Sequence, residues 1–312
     1  MNDYTVFGGR LRSELPLAAL HVAEAGEPRW TLAVVREPLR LHSADLLGED
    51  EVDAGVRVRL YRHAHGYRLV YDDTGSFDVL GGGSRIEWTP RPGADPGAAG
   101  LDVLGRVLPV AMHAAGTLCL HGSAVAMGPA GVAFLAPKFH GKSTLAQALV
   151  RAGAGLVTDD VVPVDPGPPA ALRPGVQHLR LWDDSAVHLD AAGGGRARGA
   201  KHVVDAGDAR ALAPVPLSAV YLLVPVHAQP GLPAVRRTRL PPLAAAMSVL
   251  RHSRLGLLLA RSDAAASLDR AVRLAAAAPV YTLELVRDFD RLADAVEQLV
   301  AWHPGARAGV AA

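Results

Sequence analysis

Over residues 1–90 apolar and polar side chains alternate with a period of two, in Tyr4-Thr5-Val6-Phe7, Trp30-Thr31-Leu32-Ala33-Val34-Val35, Val56-Arg57-Val58-Arg59-Leu60-Tyr61 and Tyr67-Arg68-Leu69-Val70-Tyr71. Such alternation predicts half-buried strands. Asp72-Asp73-Thr74-Gly75 and Gly81-Gly82-Gly83-Ser84 supply turns between them. A small antiparallel β-rich domain is expected over residues 1–95, serving as a recognition unit or as a cover for the remainder of the chain. The run from Pro90 to Gly97 reads as the linker.

Downstream the period lengthens. Leu101, Leu104, Leu108 and Ala111 recur at helical spacing, which predicts a helix over about 101–115 with a kink at Pro109. Leu118–Met127 reads as a strand, Gly128-Pro129-Ala130-Gly131 as a hairpin turn, and Gly131–Leu135 as the returning strand. Ser143–Val150 contains neither Gly nor Pro and places Leu145, Ala148 and Leu149 on one helical face, with Gly153 and Gly155 to stop it. Leu156-Val157-Thr158 predicts a strand ending at Asp159-Asp160. Further strands are expected at Val220–Val224 and Pro279–Leu285, and helices at about 241–252, 262–277 and 288–302. The alternation of types predicts an α/β fold, a mixed β-sheet with flanking helices over residues 96–303. Residues 304–312 read as a disordered tail.

The segment between the hairpin and the helix carries the chemistry. Ala136-Pro137-Lys138-Phe139-His140-Gly141-Lys142-Ser143-Thr144 has the form of a phosphate-binding loop, with Ala136 in place of the usual first glycine. Backbone N–H groups wrap an anion there, and the helix after it turns its positive end toward the ligand. Gly141 admits close backbone approach, Lys142 supplies a cation for the β/γ phosphates, and the Ser143 hydroxyl can complete the shell of Mg²⁺. ATP and Mg²⁺ are the cofactors expected.

Asp159 and Asp160 come after one helix and one turn. One carboxylate can take a proton from an attacking hydroxyl while the other contacts the metal or its water. His121 lies on the strand that leads into the hairpin, adjoining the phosphate site. A mobile loop is expected at Gly193–Gly199, either a plain flexible connection or a segment that closes on substrate. Lys201 and His202 lie just after it, within reach of a phosphate. Val235-Arg236-Arg237-Thr238-Arg239 is a short basic run, read as a solvated strand edge, with contact to an acidic peptide or a phosphate as the second reading.

His-Gly, a phosphate loop and a strand bearing Asp-Asp, at these intervals, resemble the catalytic core of HPr kinase/phosphorylase. The resemblance extends to the HPr-kinase-related proteins of bacterial gene clusters, including lasso-peptide clusters, whose members phosphorylate a serine hydroxyl. It is specific over about residues 115–165 and looser to about 300. It implies a P-loop kinase core of the HPr kinase/phosphoenolpyruvate carboxykinase type. It further implies phosphate and metal roles for Lys142 and Ser143, a general-base role for Asp159 and an active-site place for His121. Metal contacts fall to Asp160 and to Asp184, which lies at about the distance of a further acidic ligand. The acceptor implied is HPr, the terminal serine of a precursor peptide, or another protein serine. The family's parent members are hexameric, so a homo-oligomer is in keeping. Thr144 stands where those parents carry an acid, and no segment matches the glycine-rich stretch that serves the reverse reaction. Kinase activity without phosphorylase activity is therefore expected. A small-molecule phosphotransferase, a nucleotide-sensing module and an ATP-hydrolysing maturation factor are the alternatives.

Composition narrows the setting. The chain has 312 residues, half of them hydrophobic, and a net charge of only +1, so bulk electrostatics give no reason to expect nucleic acid as partner. Its single cysteine, Cys119, cannot form an internal disulfide, which fits a reducing cytosol. The first residues have neither the basic start nor the apolar run of a signal peptide. No stretch has the length of a membrane span. A cytoplasmic enzyme is expected.

Overall fold

The computed structural model describes residues 1–53, 55–189, 201–259 and 264–303. The expected loop at Gly193–Gly199 and the expected disordered tail lie outside these residues. The chain packs as two compact units, one of residues 1–119 with 253–269, the other of 120–252 with the chain from 270 onward.

The first unit is built on eight strands: β1 (Asn2–Val6), β2 (Gly9–Ser13), β3 (Trp30–Val34), β4 (Asp45–Asp53), β5 (Val56–His63), β6 (Gly66–Tyr71), β7 (Gly75–Leu80) and β8 (Arg85–Pro90). They form one sheet in the order β1-β2-β3-β8-β7-β6-β5-β4. The sheet is mixed rather than purely antiparallel as expected, because β2–β3 and β3–β8 pair in parallel. The long connection between β2 and β3 carries the chain back to the end at which β2 began, so that β3 can run parallel to it, which a tight hairpin cannot do. Alternation buries Leu32, Leu60, Leu69 and Ile86, with Phe77 stacked on Trp88 at 5.9 Å.

The helical run after β8 belongs to this first unit, so the boundary expected at 95/96 falls inside it. Two contacts hold it there. Thr74 Oγ1 donates to Asp102 Oδ2 at 2.7 Å, and Gly83 lies so near Ala111 that a Cβ would stand 2.2 Å from its carbonyl oxygen. The run comprises α1 (Pro96–Asp102), a π turn (Val103–Val107) and α2 (Leu108–Ala114). Asp95 caps α1 by accepting from the N–H groups of Gly97 and Ala98. In place of the expected kink at Pro109, the Leu108 N–H reaches back to Val103 O, and this wide turn seats the proline at the start of α2.

The second unit contains β9 (Leu118–Met127, entering from the first), β10 (Ala130–Leu135), β11 (Gly155–Asp165), β12 (Ala171–Leu172), β13 (His178–Trp182), β14 (Lys201–Asp205), β15 (Val215–Val226), β16 (Val235–Arg239) and β17 (Val280–Val286). Its helices are α3 (Lys142–Arg151), α4 (Asp183–His188), α5 (Pro242–Arg251), α6 (Ala264–Ala277, continuing from the first unit) and α7 (Leu292–Trp302). The main sheet is ordered β10-β9-β11-β12-β15-β17-β16, and β10 also pairs with β15, closing five strands into a ring. β13 and β14 form a separate antiparallel pair. The fold is therefore mixed α/β. Strands β10, β15 and β17 run parallel, and their carboxyl ends lie together.

Helix α3 buries Leu145, Ala146 and Leu149 among Phe134, Tyr221 and Leu283 and the Ala295, Val296 and Leu299 face of α7. It ends as expected at Gly153, whose φ of 97° lets its N–H reach Val150 O and that of Ala154 reach Leu149 O. The basic run is the edge strand β16, where Arg236 pairs with Glu284 and Arg237 lies over the Tyr281 and Trp302 rings. Among the described residues no helix is long and apolar enough to cross a membrane.

Candidate functional site

A cleft of about 930 Å³ opens at the carboxyl ends of the parallel strands, bordered by Pro225 from β15 and by Leu285 and Val286 from β17. Crevices at this end of parallel strands are where α/β sheets receive ligands. His121, Lys138, Phe139, His140, Gly141, Lys142, Ser143, Thr144, Asp159, Asp160 and Asp184 all line it. Ala136 and Pro137 stand behind, each giving its carbonyl oxygen to the Lys142 ammonium at 2.9 Å.

The loop joins β10 to α3 without a side-chain cap at the helix start. Phe139 has φ 69° and Gly141 φ 84°, with His140 outside the left-handed region between them. Alternation of this sort turns successive N–H groups toward one concave side, the geometry of an anion nest. A Cβ on Gly141 would meet nothing within 4 Å. Glycine is needed there for its φ, and the space beside it is open.

Asp159 is nearly buried, at 5% exposure. Its Oδ1 accepts from Ser123 Oγ at 2.5 Å, and Ser143 Oγ donates to the same carboxylate at 3.0 and 3.1 Å. The sequence places the aspartate pair at the end of a strand. It sits instead in the middle of β11, which continues through Val161–Val164 to Asp165. The strand continues although Asp160 takes φ 69°, a local irregularity of the kind that re-aims a side chain, and its carboxylate meets His121. His121 Nδ1 lies 3.2 Å from Asp160 Oδ1 and 3.1 Å from Asp160 O.

Helix α4 brings the remaining acid. Thr144 Oγ1 donates to Ser185 Oγ at 2.9 Å, tying the first turn of α3 to α4, and the Ser185 N–H is held by Asp184 Oδ1 at 2.7 Å. His202 Nε2 meets Asp183 Oδ1 at 2.7 Å. The Ser143 hydroxyl and the carboxylates of Asp159, Asp160 and Asp184 line the same cleft and offer oxygen donors, the kind a hard cation such as Mg²⁺ takes, although the three carboxylates do not gather within 4.8 Å of one another.

Sequence reasoning missed Ser123, Ser185, Trp182 and His252. Ser123 carries one usable signal, a hydroxyl at an inward position of an otherwise apolar strand. His252 O accepts the His121 N–H at 2.7 Å, and the His252 ring bonds Ser248 O at 2.8 Å. Burial pushes its imidazole below the ordinary value; the Ser248 carbonyl opposes this, and the charges of His121 and Lys142 add to the lowering.

No family model matches the chain, and no curated protein does. Among solved structures it is similar to the HPr(Ser) kinase/phosphatase from Coxiella burnetii, over 60% of this chain and 95% of that one, with 16% identity and a TM-score of 0.34. At that level the likeness carries no argument about the site.

Proposed function

We propose that the cleft binds ATP with Mg²⁺ and transfers the γ-phosphoryl group to a serine hydroxyl on a protein or precursor peptide. The observation that carries this reading is the bond from Ser143, first in line after the loop lysine, to the buried carboxylate of Asp159. A nest for an anion, a cation beside it and a hydroxyl–carboxylate pair are what phosphoryl transfer requires within one cavity.

The loop amides and Lys142 hold the phosphates in this reading. On binding, the Lys142 ammonium exchanges its two carbonyl partners for phosphate oxygens. Ser143, Asp160 and Asp184 are the residues that would hold Mg²⁺, which when bound would offset negative charge on the phosphates. The acceptor Oγ forms a bond to the γ-phosphorus as the bond from that phosphorus to the β-bridging oxygen breaks, and ADP leaves. Asp159 takes the hydroxyl proton. It already accepts hydrogen bonds from two serine hydroxyls, the interaction an incoming serine must make. His121 orients Asp160 through its ring nitrogen.

ADP release should depend on a serine-bearing acceptor and vanish when that serine is replaced by alanine. Hydrolysis at an equal rate without any acceptor would replace the kinase by an ATPase, and transfer only to small molecules would replace the protein acceptor.

A further inference from the structure

Two large aromatic side chains stand exposed at the rim of the cleft. Phe139 is 62% exposed and Trp182 37% exposed, and their rings stack at 5.0 Å with planes 22° apart. Both line the cleft that holds the anion loop. They come from different elements, Phe139 from the loop and Trp182 from the end of β13, so the stack is a tertiary feature. Phe139 adopts its left-handed φ without a glycine's freedom, a strained conformation that persists where its surroundings enforce it. The mutual stack recovers part of what the strain and the exposure cost, but it leaves ring faces open to a ligand in the cleft.

Their position along the phosphate chain indicates an occupant. Lys142 marks the β/γ end, and Asp159 with His121 marks the side from which an acceptor enters. Thr144, two residues after Lys142 in α3, bonds Ser185 in α4, and α4 begins directly after Trp182. Trp182 is therefore tied to the side of the loop beyond Ser143, where the α-phosphate and nucleoside of a bound triphosphate leave the nest.

We propose that Phe139 and Trp182 form the platform on which the nucleobase of the triphosphate stacks. The inference rests on the loop binding a triphosphate and adds how the base is held. Stacking is tolerant of base identity because each base offers a π face. The platform should therefore bind adenine and guanine nucleotides alike.

The test compares ATP, GTP and inorganic tripolyphosphate, each with Mg²⁺, by calorimetry on the full chain. The variants are Phe139→Ala, Trp182→Ala and Trp182→Phe. Trp182→Ala should weaken ATP and GTP by about 5- to 100-fold, leave tripolyphosphate affinity unchanged, and be largely rescued in Trp182→Phe; Phe139→Ala, which also alters the loop, should weaken both nucleotides more than it weakens tripolyphosphate. Both side chains are exposed, so the folded state should survive, and unchanged tripolyphosphate binding in Trp182→Ala would confirm it there. Equal weakening of all three ligands in Trp182→Ala, or unchanged nucleotide affinity with a raised KM for the acceptor, overturns the platform while the loop stands. Absence of tripolyphosphate binding in the unaltered protein removes the loop and the platform together.

Discussion

The Ser143 hydroxyl donates to the Asp159 carboxylate at 3.0 and 3.1 Å, joining the first turn of α3 to the middle of β11. A loop residue expected at the metal and a strand residue expected at the acceptor thus share one proton. Removing the hydroxyl by Ser143→Ala should raise the Mg²⁺ concentration needed for half-maximal turnover at least tenfold. Nucleotide-free stability should fall by only about 1 kcal/mol, since Asp159 keeps its bond from Ser123. An unchanged Mg²⁺ requirement would take Ser143 out of the metal shell.

The two aspartates should separate kinetically. Asp159→Asn is expected to lower kcat by about 10²–10⁴ with ATP affinity nearly unchanged, because a base acts in the transition state. Asp160→Asn should act mainly on the Mg²⁺ dependence. The reverse pattern would exchange the two roles.

Gly141→Ala tests the nest. The added methyl group meets no protein atom, so any folding cost is conformational, about 1–2 kcal/mol for a left-handed alanine. Nucleotide affinity should drop further than this, because the methyl projects into open space beside the nest. An affinity that stays within twofold of the unaltered protein would separate Gly141 from the ligand.

Stability should depend on pH through His252. Burial lowers its affinity for a proton in the folded state below that of the unfolded chain, whose value lies near 6.5. The unfolded chain therefore binds more protons as the medium acidifies, so stability is full above about pH 6.5 and declines as pH falls through that value. Replacing it by His252→Gln should flatten the slope of unfolding free energy against pH below about 6.5. Parallel slopes in the two proteins would rule His252 out as the source.

Much of the site is legible in the chain because its parts are local. The loop, the start and stop of α3 and the glycine-rich turns are written in consecutive residues, and each has its own backbone reason. His121-Gly122 reads as a motif, and Gly122 proves sterically fixed: a Cβ there would come within 2.5 Å of Phe134 O and 2.7 Å of Leu135 Cδ2. The place of Asp159-Asp160 within β11 is not legible. A pair of acids reads as a strand end unless one knows that Asp160 takes a left-handed φ and that Ser123 and Ser143 satisfy Asp159. The Phe139–Trp182 stack and the Thr144–Ser185 bond join segments far apart in sequence, and neither leaves a local mark. Strand β4, with Gly48-Glu49-Asp50-Glu51 inside it, lacks apolar alternation and gains its place from pairing with β5.

The most direct measurement is a crystal structure of the chain with Mg²⁺ and a non-hydrolysable ATP analogue. The proposal predicts the β and γ phosphates in the concave side of residues 136–144, the Lys142 ammonium moved from the Ala136 and Pro137 carbonyls onto them, and the γ-phosphorus facing Asp159. A nucleotide bound elsewhere, with Lys142 still on those two carbonyls, would contradict it.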